Sequence, residues 1–203
     1  MLTLWRWAAV AALPLLGACS SMPISTMYKM VTLEPLEIDP QQVKFAVRTD
    51  RNAVIGEKGV VMGLSYHSED GQVQLDEEYS VRVNHDMRPS GVLLQGQEPG
   101  EQVVIFSLSP RDAQSMRRFQ QKVAKHQENG VEGSGGLSIN LDEFCFKQAP
   151  TEPVLADMFM QTERADGFFV FLNNVDILEP DCDNCEIEPI PLCDQRVQQQ
   201  QQQ

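Results

Sequence analysis

The stretch EQVVIFSLSPRDAQSMRRFQQKVAKHQENG, residues 101–130, changes its period part-way through. EQVVIFSLS (101–109) is apolar on both faces, the pattern of a strand buried in the middle of a sheet. From Ser109 onward the apolar positions fall at helical spacing, and Ala113, Met116, Phe119 and Val123 make one stripe. Ser109 is placed to cap that helix, because its hydroxyl oxygen can accept from a first-turn backbone N–H. Pro110 suits the first helical position, where no N–H is needed. Asp112 sits where the helix dipole favours negative charge, and Asn129-Gly130 supplies the stop. The stretch therefore predicts one amphipathic helix near residues 110–128, entered directly from a central strand.

On both sides of it the period returns to two. VKFAVRT (43–49) alternates Val43, Phe45 and Val47 with Lys44 and Arg48, as a half-buried strand does. GVVMGLSYH (59–67), YSVRVN (79–84) and GVLLQ (91–95) read as further strands, separated by the turn chemistry of SEDGQ and RPSG. Downstream, VEGSGG reads as a Gly-rich turn. LSINL, FCF, VLADMFMQTE (154–163) and GFFVFLNNVDI (167–177) then read as strands, the last two joined by a turn at Arg164-Ala165-Asp166-Gly167. One helix among many short strands gives a mainly β (α+β) fold. The expected architecture is an antiparallel two-sheet sandwich-like domain with one amphipathic helix, not alternating βαβ units.

The chain has 203 residues, of which 42% are hydrophobic, a globular composition. Its net charge of −13 argues against general nucleic-acid binding, which needs basic surface to displace counterions.

The N-terminus is of another kind. MLTLWRW carries Arg6 as its only charge, and an apolar run follows from Trp7 to Ala18. That run is shorter than the roughly 20 residues a spanning helix needs. Its order of basic start, short apolar middle and small residues at the end is that of a cleavable secretory signal. Leu16-Gly17-Ala18-Cys19 resembles the lipobox of bacterial lipoproteins. The resemblance implies cleavage before Cys19, diacylglycerol on its thiol and an acyl chain on its amine. It also implies localisation, since in that family an Asp after the cysteine marks inner-membrane retention. Ser20 stands there, so the outer membrane, periplasmic face, is expected, with the inner membrane as the alternative. Loss of Arg6 with the leader takes the net charge from −13 to −14.

With Cys19 assigned to lipid, four cysteines remain: Cys145, Cys182, Cys185 and Cys193. In an oxidising periplasm they are expected to form two disulfides, in any of three connectivities. The organisation that follows is a signal peptide (1–18), a lipidated tether (19–40), a mostly β domain (41–178) and an acidic tail (179–203). The tail's cysteines are expected to staple it to the domain, and its terminal glutamine run to be disordered.

Candidate chemistry is sparse. Cys182-Asp183-Asn184-Cys185 with Cys193 could bind zinc as thiolates, with Cys145 or a histidine as fourth ligand. The tail's Glu179, Asp181, Asp183, Glu186, Glu188 and Asp194 offer oxygens to a hard cation, but without EF-hand spacing. His67, His85 and His126 lie in no nucleophile motif, and the neighbours His85 and Asp86 would point to opposite faces of a strand. Carboxylate pairs such as Glu77-Glu78 are unspecific in so acidic a chain. On the helix, Arg111, Arg118, Lys122 and Lys125 share one face about 120° from the apolar stripe. This is local charge segregation, a candidate docking face for an acidic envelope partner.

The sequence reading is thus a non-enzymatic binding or assembly-accessory lipoprotein of the cell envelope. No catalytic residue, metal site or cofactor is assigned, beyond the lipid on Cys19. Its expected partners are the bilayer and an envelope protein. A metal-binding envelope protein using the C-terminal cysteines, or an envelope enzyme with an unrecognised site, are the alternatives.

Overall fold

The structure is a computed structural model and describes Pro23, Thr26 and residues 35–141, 143–178 and 190–194. The elements run β1 (Lys44–Asp50), β2 (Ala53–Ile55), β3 (Val60–Ser68), β4 (Gln74–Val83), a 3-10 turn (Gly91–Leu94) and β5 (Glu101–Ser107). They continue with α1 (Pro110–Glu128), β6 (Gly133–Leu141), β7 (Phe144–Phe146), β8 (Leu155–Gln161) and β9 (Phe169–Asp176). The chain is mostly β with one long helix. Seven strands form an antiparallel sheet in the order β6-β3-β4-β5-β1-β8-β9, and β2 pairs with β7 in a small second sheet. β5, apolar on both faces, is the middle strand of the seven.

The large sheet is curled, and its register shows where. β5 pairs with β1 along its whole length, from Lys44↔Ser107 to Asp50↔Glu101. It meets β4 only at Arg82↔Ser107 and Val83↔Phe106. The sheet therefore opens into two leaves, β6-β3-β4 and β5-β1-β8-β9, joined at one corner. The inward faces of both leaves meet in one apolar cluster: Phe45, Val47 and Met158 from one, Val60, Met62 and Val81 from the other. α1 starts just past this corner, with two residues between it and β5, and adds Met116 to that cluster. Phe119 and Val123, one turn and two turns further on, pack with Tyr66 of β3. The helix begins as its sequence dictates, with Ser109 accepting from the Asp112 N–H and Pro110 in the first turn.

β1 is buried on both faces. Ala46 faces away from the helix, into a second cluster with Leu93, Ile105 and Phe159. This explains one departure from the sequence reading. GVLLQ is not a strand but a 3-10 turn, whose Leu93 caps the outer face of β1 and β5. A short apolar segment can be hydrophobic because it covers a sheet as well as because it joins one.

Other boundaries move as well. Gly133–Gly136, read as a turn, already belong to β6 and pair with Ser65–Ser68 of β3. β4 starts at Gln74, earlier than its apolar half suggests, and β2 was not foreseen. Ile38, assigned to the tether, lies in the main cluster, so the folded body begins before residue 41. Most of the expected tether, including residues 27–34, falls outside the described residues. At the other end, Cys193 forms a disulfide with Cys145 of β7. The Phe146 N–H donates to the Pro191 carbonyl at 3.2 Å, and Ile190 and Leu192 pack against Ala53, Phe146 and Val154. The end of the tail thus adds apolar contacts as well as a covalent tie.

Candidate functional site

Between α1 and the two leaves lies a cavity of about 360 Å³. It reaches from Val43 and Met160 on one leaf to Met62, Leu64 and Leu137 on the other, beneath Phe119 and Val123 of α1. Among the described residues no charged side chain lines it. Its volume is in the range of small-molecule sites, about 300–1,000 Å³. Three methionines, Met62, Met116 and Met160, contribute flexible thioethers that adapt to an occupant's shape.

One polar side chain stands out in this lining. Gln120 is only 3% exposed, although it sits on the buried face of α1. Its Nε2 donates to the Pro35 carbonyl at 2.8 Å and to the Ile38 carbonyl at 2.9 Å. Two carbonyl acceptors fix which end of the amide is nitrogen, so Oε1 must point the other way. Oε1 is buried without a hydrogen-bond partner. Among the described residues the other such atom is the Tyr79 hydroxyl, which does not line the cavity. Burial, and then the charge of Glu77, pushes the Tyr79 phenol up to about 12, with Arg118 opposing.

The opening is marked by the exposed lining residues Pro35, Gln127, Gly133, Gly135 and Gly136. Three of these are glycines on edge strand β6. Gly135 is the register partner of Tyr66, whose ring is buried under α1, so it belongs to the inward face. A Cβ at Gly135 would meet only the Ser65 carbonyl, at 3.5 Å, an ordinary contact. A Cβ at Gly133 would come within 2.9 Å of the Tyr66 ring and 2.5 Å of the His67 carbonyl. Its absence lets the Tyr66 hydroxyl reach the Val131 carbonyl, to which it donates at 2.8 Å.

The other residues singled out in the sequence do not come together. His67 sits at the turn end of the β3–β4 hairpin beside Asp76, at 3.0 Å. His85 lies beyond the opposite end of that hairpin beside Glu57, at 2.8 Å. Both pairs are exposed and separated by the length of a strand, so they share no cleft. His126 ends α1. Arg111, Arg118, Lys122 and Lys125 are all exposed along α1. Lys122 lies 3.7 Å from Glu77, and Arg111 borders a shallow groove with Arg117 and Asp39. Cys145 and Cys193 are joined and so offer no thiolates to a metal. Cys19, Cys182 and Cys185, and five of the six tail acids, lie outside the described residues. Among the described residues no group of three or more His, Cys, Asp or Glu could hold a metal ion. No helix among them is long and apolar enough to cross a membrane.

Sequence reasoning did not find Gln120 or Gly135. The signal for Gln120 was present: it lies four residues after Met116 and three before Val123, a polar residue on an apolar stripe. Nothing local marks Gly135, whose role depends on its partner across the sheet. Compared with known proteins, the chain matches no family model, no curated protein and no solved structure.

Proposed function

We propose that this chain is a lipid-anchored envelope lipoprotein, held through Cys19 at the periplasmic face of the outer membrane, that works as a non-enzymatic binding module. The cavity under α1 is its binding site. The observation that carries this reading is a mostly apolar space of about 360 Å³ between α1 and the sheet. A well-packed core has few voids larger than a water molecule, so a space of this size marks a binding site. The scattered histidine pairs support no shared acid–base site, and the basic face of α1 is open to an acidic envelope partner.

Two measurements test the two halves of the proposal. Metabolic labelling with a palmitate analogue is expected to mark the wild type and not Cys19→Ser, which should leave the membrane fraction. An unlabelled wild type sinks the anchor. Saturable fluorescence enhancement of 1-N-phenylnaphthylamine by detergent-free Cys19→Ser chain is expected from the cavity. Gly135→Leu places a side chain at its opening and should abolish most of that signal. Enhancement that does not saturate, or that Gly135→Leu leaves intact, removes the cavity as the binding site.

A further inference from the structure

We propose that β6, an edge of the large sheet, takes an extended peptide segment of another protein as an added antiparallel strand. That segment carries apolar side chains at alternate positions and a Lys or Arg just past its C-terminal end. The proposal goes beyond the cavity reading and stands without it.

The two edges of the sheet are built differently. At β9 the register against β8 shifts around Met158, Asn174 takes a left-handed φ of 54°, and the Thr26 hydroxyl donates to the Val170 carbonyl. Irregular edges of this kind resist further pairing. β6 pairs with β3 without a break, from Gly133↔Ser68 to Leu141↔Val60. Its sequence, GSGGLSINL, holds no charge and no proline. Among the described residues only β3 pairs with it.

The register tells which backbone groups are open. The Glu69 N–H donates to the Glu132 carbonyl at 3.0 Å, and these two residues continue the β3–β6 register by one step. Hydrogen-bonded pairs recur at every second residue of an antiparallel ladder. Ser134, Gly136, Ser138 and Asn140 therefore turn their N–H and carbonyl groups toward β3. Gly133, Gly135, Leu137, Ile139 and Leu141 turn theirs outward. Leu137, Ile139 and Leu141 are also half-buried against the main apolar cluster. A strand added here bonds to those five residues and lays its apolar side chains over the same face, because directly opposed residues share a face. Its polar side chains then lie beside the exposed Ser134, Ser138 and Asn140. In the glycine half nothing obstructs it: a Cβ at Gly135 would meet only the Ser65 carbonyl. Strand glycines let another backbone approach closely.

Charge selects the partner. Glu69, Asp70 and Glu132 are exposed where β6 begins, which is where the C-terminal end of an antiparallel strand lies. A basic residue suits that end. A second copy of this chain fits worse. The register that overlaps all nine residues of two β6 strands sets Glu132 of each against position 142 of the other, an Asp. Like charges directly opposed are destabilising.

The test uses the full chain carrying Cys19→Ser, free of detergent, and a fluorescein-labelled peptide of alternating valine and threonine, as long as β6, with lysines at its C-terminal end. Its polarisation is expected to rise and saturate. N-methylation of the central valine removes a donor that faces β6 and should weaken binding at least about tenfold. N-methylation of the neighbouring threonine, whose N–H faces solvent, should weaken it far less. Exchanging the lysines for aspartates should weaken binding about fivefold at low salt and less at high salt. Gly135→Pro removes an outward donor, keeps every bond to β3 and should abolish most of the binding. If that variant does not fold, as read by its urea midpoint, the two methylated peptides on the Cys19→Ser chain still decide. No saturable binding, or equal loss from both methylations, overturns the added strand. Aspartates as good as lysines overturn the basic partner. Sedimentation should show a monomer, and a dimer that Gly135→Pro dissolves would give the edge to a second copy instead. Binding of 1-N-phenylnaphthylamine reports on the cavity separately, so either reading can fail alone.

Discussion

Arg48 and Asp157 face each other across β1 and β8, both about nine-tenths buried. Arg48 donates through Nε and Nη2 to one carboxylate oxygen of Asp157 and through Nη1 to the Gln95 carbonyl, with its guanidinium 5.4 Å from the Phe159 ring centre. The other carboxylate oxygen accepts from the Asn174 N–H at 2.8 Å, where β9 turns through a left-handed residue with φ 54°. One ion pair thus ties the 3-10 cover to the sheet and holds the irregularity of β9. Asp157→Ala leaves the buried guanidinium with only the more distant Glu101 carboxylate, at 3.7 Å, and a loss of up to about 3–5 kcal/mol is expected in urea unfolding. Arg48→Met with Asp157→Leu, an apolar pair of similar volume, should recover most of that loss. Tyr79 gives a residue-scale prediction in pH. Its phenol is raised to about 12 in the folded state by burial, above the ordinary tyrosine value of 10.0. The folded state therefore favours the neutral form. The stability this supplies is complete below pH 10 and is lost as pH rises toward 12. Tyrosinate absorbance should show a late step that coincides with unfolding, and Tyr79→Phe should remove it. Because the hydroxyl has no partner, that variant should be no less stable at neutral pH.

At the scale of elements, the helix was the most legible part of the chain, because its signals are local. Ser109, Pro110, the stripe and Asn129-Gly130 lie within one segment, and each does in the structure what its chemistry suggests. The cap can be weighed directly: Ser109→Ala is expected to cost about 1 kcal/mol in denaturant midpoint, with the fold unchanged. The long strands were legible for the same reason, since alternation is written in consecutive residues. What failed was whatever depends on a distant partner. GVLLQ is apolar because it covers Ala46 and Ile105, which no local pattern reveals. GSGG carries turn residues yet lies in β6, because its backbone pairs with Ser65–Ser68 and its missing side chains make room for Tyr66. β2 is three residues long and exists only because β7 lies beside it. The candidate site falls in this second class. It is lined by Val43 just before β1 and by residues of β3, β6, β8, α1 and the 35–38 segment, and only the misfit of Gln120 on its stripe hinted at it.

For the whole molecule, the long-range constraint that matters is the bond between Cys145 and Cys193, 48 residues apart in sequence. It encloses β8 and β9, which form one edge of the large sheet, and pins the tail across β7. In the unfolded chain a loop of that length restricts the ensemble enough to favour folding by about 4 kcal/mol, on the loop-entropy account. The folded state gains separately, because the bond holds Ile190 and Leu192 on Phe146 and Val154. Reduction should therefore lower the urea midpoint by more than the loss of the tail contacts alone. Cys193→Ser measures both effects together, and Ile190→Ser with Leu192→Ser, disulfide intact, measures the apolar contacts. If the bond acts through the unfolded chain, Cys193→Ser will also raise the denaturant slope, because a longer open chain exposes more surface. The double serine variant will leave that slope unchanged. Equal slopes in all three proteins would assign the whole effect to the docked tail. The small sheet β2-β7 would then be held by packing, and the covalent tie would only keep the tail in reach of it.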